Sequence, residues 1–560
     1  MREEDHKTRL RGTWPLALTA NSTGSLPRWT PPVWQAASLL CLVVVFVVFV
    51  RIRLLNFPLE RDEGEFAYVA QLALDGVGPY QLAYVVKLPG TYLAYTVIMG
   101  LFGQTTAAIH LGFLLVNLAN LAVFYRVARR FLEIPNAMIG CACFALLSLS
   151  PGVLGLQGHA TNLVVLAALG GMDCLLRARE SGRGSLFWWS GLCFGLAFLF
   201  KQPGLFFGVL AVAVLFRDAA QERPARWRRC LGRVGLLAAG IAAPLALVCV
   251  AMLAAGVFDR FWFWTFRYAA VRAAMPSAEV AAVNLQLFSR QMGIDKWIWP
   301  LPAVGLLCLW RGHASRDAKF FVTALLFFSG LAFVAGLKFN LHYFLVMLPV
   351  ISLLIAMGMA AGMDAARGKS SSWLPMALFA LGCACMIWAH RDIWLEANPD
   401  EASRIIYATN PFVESVEVAK YIREHSPPEA RIAVMGSEPQ IYFYAHRHSA
   451  SGYINMYDLV EAQPYASQMQ ESLLRDIQTV RPEYLIRVKV PLSWGPWSVD
   501  DESSLIKLDE YARKFYEVDG FVALFPDHAD YTWGPEAAGK TSATGEYIIV
   551  MKRNKVPSIN

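Results

Sequence analysis

Charge is scarce in this chain. Of its 560 residues only 17% are Asp, Glu, Lys or Arg, against 56% hydrophobic, and its mean hydropathy is +0.40. That balance excludes an ordinary soluble globular protein and a disordered one, and it points to a polytopic membrane protein. Cysteine is missing after residue 385, so no disulfide framework supports the tail from 391 to 560. Internal repeats and low-complexity tracts are also missing. The acids Glu3, Glu4 and Asp5 precede the first apolar run and no A-x-A site follows it, so that run is expected to remain as an anchor. "MGSEPQIYFYAHRH" has one glycine after its strand, too few for a phosphate-binding fingerprint. The net charge of +7 makes no case for nucleic acid, because Lys and Arg cluster where short loops leave apolar segments.

Apolar segments are abundant. They lie at 34–52, 106–125, 136–151, 160–176, 185–200, 204–216, 233–256, 297–310, 320–337, 341–362 and 373–390, several of them short for a hydrocarbon core of about 30 Å. Basic clusters mark the cytoplasmic ends: Arg2, Lys7, Arg9 and Arg11; Arg126, Arg129 and Arg130; Arg177, Arg179 and Arg183; Arg217 to Arg233; Arg311, Arg316 and Lys319; Arg367 and Lys369. One further stretch, "GTYLAYTVIMGLFG" at 90–103, would reverse this pattern if it crossed, so it is expected to be an interfacial or re-entrant helix. The expected fold is a polytopic α-helical membrane protein of about 11 spans. Residues 1–33 form a cytoplasmic segment, 34–390 the membrane domain with its first outer loop at 53–105, and 391–560 a periplasmic α/β domain. The tail earns that reading from "VEVAKYIREHS" and "EAQPYASQMQESLLRDIQTV" at helical spacing and "RIAVMG", "PEYLIRVKV" and "GEYIIVMKR" as strands. Asn21 of "NST" fits a glycosylation pattern but falls on the cytoplasmic side.

Chemistry has few places to sit. In the first outer loop, Phe66, Val69, Ala70, Ala73 and Val77 recur at helical spacing, which predicts an amphipathic helix against the membrane over Gly64 to Asp75, closed by Gly76. Asp62 reads equally as its N-cap, with Glu65 as capping-box partner, and as a catalytic acid; a cap leaves the adjacent Glu63 unexplained. Lys87 precedes Pro89 and the helix at 90–103, where a helix N-terminus and an ammonium together make an anion site suited to phosphate. A lysine snorkelling to the interface is the plainer reading. A base beside a phosphate leaving group is the minimum equipment for transferring a group from a phosphate ester. Lys201 in "FKQPG", the only charge at its turn, is a candidate phosphate contact. So is Arg267 on "DRFWFWTFRY", since guanidinium binds phosphate in bidentate fashion. His159 has no second histidine at metal spacing, so no structural zinc is expected and no metal site is assigned.

"RDEGEFAYVAQLALDGVGPYQLAYVVKLPGTYLAYTVIMGLFG" resembles the first outer loop of the GT-C superfamily of membrane glycosyltransferases. The branch is the one containing protein O-mannosyltransferases and lipid A aminoarabinose and galacturonic acid transferases. The likeness extends to "FLFKQPG", "FDRFWFWTFRYAAV" and "LHYFLVMLPVISLL". It implies that Asp62 is the catalytic carboxylate, that Lys87 holds the phosphate of a polyprenyl-phosphate sugar donor, and that Tyr343, beside His342, lies near that phosphate. Relatives often carry an acid in the outer loop after the third span, where this chain reads "GLQGHATNLVV", so His159 or Asn162 stands in that place.

The resulting expectation is a bacterial inner-membrane hexosyl or pentosyl transferase acting on the cell envelope. It would move a sugar with inversion from a polyprenyl phosphate to a periplasmic hydroxyl of lipid A, another glycolipid, a polysaccharide or a protein. Asp62 is its base, Glu63 holds sugar or acceptor, and no cofactor is predicted, with assistance by a divalent metal left open. The alternative is a lipid or solute transporter or flippase, which would show matching halves and midplane charges.

Overall fold

The computed structural model describes residues 32–222, 227–274, 277–495 and 503–554. The N-terminal basic cluster and Asn21 lie outside them. All eleven apolar segments are helical. Among the described residues, seven helices are long and apolar enough to cross a membrane, the first being α1 (Val33–Arg53). The short helix α3 (Gly90–Phe102) has 13 residues, about 20 Å, too short for a hydrocarbon core. Arg126 pairs with Asp173, Arg130 with Glu180, Arg179 with Asp218 and Arg217 with Asp317. These pairs collect at the C-terminal ends of α4 (Thr106–Ala128) and of helix Ala160–Ser181, away from the outer loops.

The tail is an α/β domain, as its alternating signals predict. Its six strands are β1 (Arg431–Met435), β2 (His448–Ser449), β3 (Tyr484–Lys489), β4 (Tyr516–Leu524), β5 (Ala529–Trp533) and β6 (Tyr547–Arg553), in the order β2-β1-β3-β6-β4-β5. β2, β1 and β3 are parallel, and the remaining pairings are antiparallel. In an open α/β sheet, ligand-facing loops follow the carboxyl ends of the parallel strands. Here the loop after β1, with Ser437 and Glu438, meets the first outer loop of the membrane domain.

That meeting corrects the reading of the first outer loop. Helix α2 (Arg61–Leu74) does not lie on the membrane with one face free; it is buried on almost every side between α3 and helix Gln440–Ala445. Gly64 permits the approach, because a Cβ there would stand 2.7 Å from the backbone nitrogen of Gln440. Gly76, at φ +78°, ends the segment as expected. Tyr68 and Tyr444 accept backbone N–H groups of Ser449 and Leu59, so phenol oxygens stitch loop and domain together. One apolar core fills the helical bundle, and a second is shared by the first outer loop and the tail domain.

Candidate active site

The helix that carries Asp62 is capped by another acid. Glu60, not Asp62, is the N-cap: its carboxylate accepts the backbone N–H of Glu63 at 2.9 Å, and Glu63 closes the capping box by accepting the N–H of Glu60. Rank order at caps favours Asp over Glu, but the chain enters the helix at Arg61. The Asp62 carboxylate, a third exposed, is therefore free for other partners.

Those partners are cationic. Lys87 Nζ donates to Asp62 Oδ1 at 2.9 Å and to Glu65 Oε1 at 3.1 Å. Glu65 is not a capping partner: it also accepts from Tyr92 at 2.6 Å and from Asn455 of the tail domain at 2.8 Å. His342 Nε2 stands 3.6 Å from Asp62 Oδ2, so His342 belongs to the site. Burial alone would raise the Asp62 carboxyl, but Lys87, with His342 and His159, outweighs it and holds it well below the usual carboxylate range. The same carboxylates hold Lys87 well above the ordinary ammonium range against its burial.

His159 stacks on His342 with ring centroids 4.0 Å apart and 12° between planes. Burial pushes its pKa down to about 4, so it is neutral at physiological pH. Among the described residues, neither of its ring nitrogens has a hydrogen-bond partner, and the same holds for the side-chain nitrogen and oxygen of Gln157. Asn162 does not reach the centre; it donates to the Gln157 carbonyl at 3.2 Å and sets this loop. Arg51 anchors the loop from below through the carbonyls of Ser148 and Gly155.

Two assigned residues fall elsewhere. Glu63 is completely buried, bound to His110 Nε2 at 3.0 Å and to the N–H of Gly158, and is unavailable to a sugar or an acceptor. Arg267 is exposed. The inward guanidinium is Arg272, paired with Asp458 and Glu461 of the tail domain and close enough to act electrostatically on Tyr343 and Lys338. Residues five apart on a helix point about 140° apart, and a π-helical turn at Phe263–Tyr268 precedes Arg272, so helical spacing could not choose between the two arginines. Burial, and then Arg272, push Lys338 down to about 8. Lys201 stands with Nζ 3.3 Å from the ring centroid of Tyr343. Both line a fissure with Thr161 and Gly204, whose volume of about 10 Å³ holds one water at most.

The structure also supplies the second histidine that linear spacing hid. Asp62, His159 and His342 place ligand atoms within 4.8 Å of one another, the one such group among the described residues. The arrangement fits a cation poorly. Imidazole lone pairs lie in the ring planes, and two stacked rings cannot both aim at one ion. The Lys87 ammonium already occupies Asp62. Turnover should therefore survive treatment with EDTA; loss of turnover restored by Mn²⁺ or Zn²⁺ would show that the rings turn and ligate.

Residues 87–252 match the family of dolichyl-phosphate-mannose-protein mannosyltransferases. No curated protein sequence matches the chain. Among solved structures, ArnT from Cupriavidus metallidurans bound to undecaprenyl phosphate aligns with a TM-score of 0.53 and 15% identity, over 92% of this chain and 97% of that one. The archaeal oligosaccharyltransferase AglB from Archaeoglobus fulgidus, in complex with an inhibitory peptide and a dolichol-phosphate, aligns at 0.51 and 13% identity, over 90% and 74%. The fold is the one that these two solved structures share. The stretch from Lys87 through most of helix Trp227–Ala254 carries the sequence pattern of the protein mannosyltransferases.

Proposed function

We propose that this chain transfers a sugar from a polyprenyl phosphate to an acceptor hydroxyl at the outer membrane surface, in one displacement with inversion. The observation that carries this reading is the contact between Lys87 Nζ and Asp62 Oδ1, which puts a phosphate-binding cation and a carboxylate base within one hydrogen bond. Lys87 pairs with both Asp62 and Glu65 and holds the Asp62 carboxyl low against its burial. A donor phosphate draws the ammonium to itself, and the Asp62 carboxylate regains basicity as its cation leaves. Asp62 then takes the acceptor proton, the acceptor oxygen bonds to the anomeric carbon, and the bond from that carbon to the phosphate oxygen breaks. Polyprenyl phosphate departs held by Lys87, with the Lys338 ammonium adding positive potential. Neutral His159, whose Nδ1 stands 3.7 Å from Glu60, and Gln157 are buried without hydrogen bonds and suit hydroxyl groups of the sugar.

The test is release of polyprenyl phosphate from labelled undecaprenyl-phosphate sugars by the purified chain in nanodiscs, together with mass spectrometry of envelope glycans in cells with and without it. No release from any such donor overturns the reading. Lys87→Ala should lower kcat/KM for the donor about ten- to hundredfold, the scale of one lost charged hydrogen bond, while thermal stability barely changes. Unchanged donor kinetics would remove Lys87 from the site.

A further inference from the structure

A cleft of about 230 Å³ opens where the outer segment Phe258–Ala274 meets helix Ala466–Val480 of the tail domain. Its apolar wall is aromatic: Phe263, Trp264, Tyr453 and Tyr465. These rings lock one another, Phe263 edge-on to Tyr465 at 5.2 Å and 83°, Trp264 edge-on to Tyr453 at 6.2 Å and 73°. Trp264 is backed by Tyr84, stacked at 5.3 Å. The polar wall is Gln468 and Arg475, two turns apart on one face of their helix, with the Ser472 hydroxyl between them. Both are exposed, and among the described residues Arg475 has no acidic partner.

Shape and chemistry narrow the occupant. The volume lies below the range of about 300–1,000 Å³ typical of sites for drug-sized ligands, so the cleft takes about one ring. Edge-on aromatic pairs leave no slot between parallel faces, which disfavours a flat base. Aromatic C–H surface facing an amide, a hydroxyl and a guanidinium matches a pyranose with an anionic substituent, since guanidinium pairs with phosphate or carboxylate in bidentate fashion. One lining residue is also close in sequence to a residue that touches the site. Tyr453 stands two residues before Asn455, which bonds Glu65 on the oxygen opposite the one that receives Lys87.

We propose that this cleft binds an anionic sugar unit of the acceptor glycan, adjacent to the unit whose hydroxyl Asp62 deprotonates. The proposal rests on the transferase reading for its role and on the cleft alone for its ligand. The experiment is hydrogen exchange on the full chain in nanodiscs, with glucose 1-phosphate, glucuronate, glucose or inorganic phosphate as probes. The two anionic sugars should protect residues 258–268 and 466–480, glucose more weakly, and phosphate alone hardly at all. Arg475→Gln should weaken binding of the anionic sugars about tenfold or more and leave glucose unchanged, and Gln468→Ala should weaken all three sugars. Protection by phosphate equal to that by the sugars, no protection by any sugar, or an unaltered Arg475→Gln variant each overturns the proposal. If the sugars protect the cleft while the wild-type chain releases no polyprenyl phosphate, the saccharide site stands and its transferase role falls.

Discussion

Asp62→Asn should leave thermal unfolding unchanged and lower turnover about 100-fold or more, the scale of losing a general base. The two halves of that expectation have separate origins. Stability should hold because Asp62 does not cap its helix; Glu60 does, and the oxygens of Asp62 bond only to a lysine that has Glu65 as a second partner. The Asp62 side chain is also a third exposed, so its ion pair with Lys87 contributes little to folding. Turnover should fall because an amide cannot accept the acceptor's proton. Purified Asp62→Asn with normal release of polyprenyl phosphate and normal transfer would refute the mechanism. A loss of stability as large as the loss of activity would return the residue to a structural role.

Its neighbour should behave in the opposite way. Glu63→Ala is expected to destabilise the protein by about 3–5 kcal/mol, the cost of stripping one partner from a buried ion pair. Glu63 is wholly buried and satisfied by His110 and by the N–H of Gly158, so its loss strands a buried imidazole on α4 and frees the loop leading to His159. Burial would raise the Glu63 carboxyl, but these partners hold it below its ordinary value. A thermal melt of the detergent-solubilised variant measures the effect. The substitution His110→Ala should cost a similar amount, and the double variant less than the sum, because the two share one interaction. A stable Glu63→Ala protein with raised KM for sugar donor or acceptor would restore the substrate role assigned from sequence.

The divergence of adjacent acids shows how far one-dimensional reasoning reaches. Asp62 and Glu63 are equivalent in composition and differ by about 100° around a helix. One turn of helix directs Asp62 toward Lys87 and Glu63 into the core, and nothing in "RDEGEF" announces which. The same limit separates Arg267 from Arg272. It also hides His342 from His159: residues 183 positions apart stack only because the outer ends of two distant helices meet.

The apolar segments and the strand signals of the tail were legible from the chain alone, because burial in lipid or in a sheet demands a local pattern of side chains that repeats every few residues. Lys87 and Asp62 could be singled out because charge beside the membrane is costly enough to need a reason. Which groups converge was decided only by the tertiary structure. The cap on Glu60, the inward turn of Glu63, the choice of Arg272, the orphaned nitrogens of His159 and the docking of the tail domain on α2 all depend on side-chain direction and on contacts between segments hundreds of residues apart. Pair interactions at such separations leave no periodic trace in a sequence, since their energy depends on distance in space and not on position along the chain.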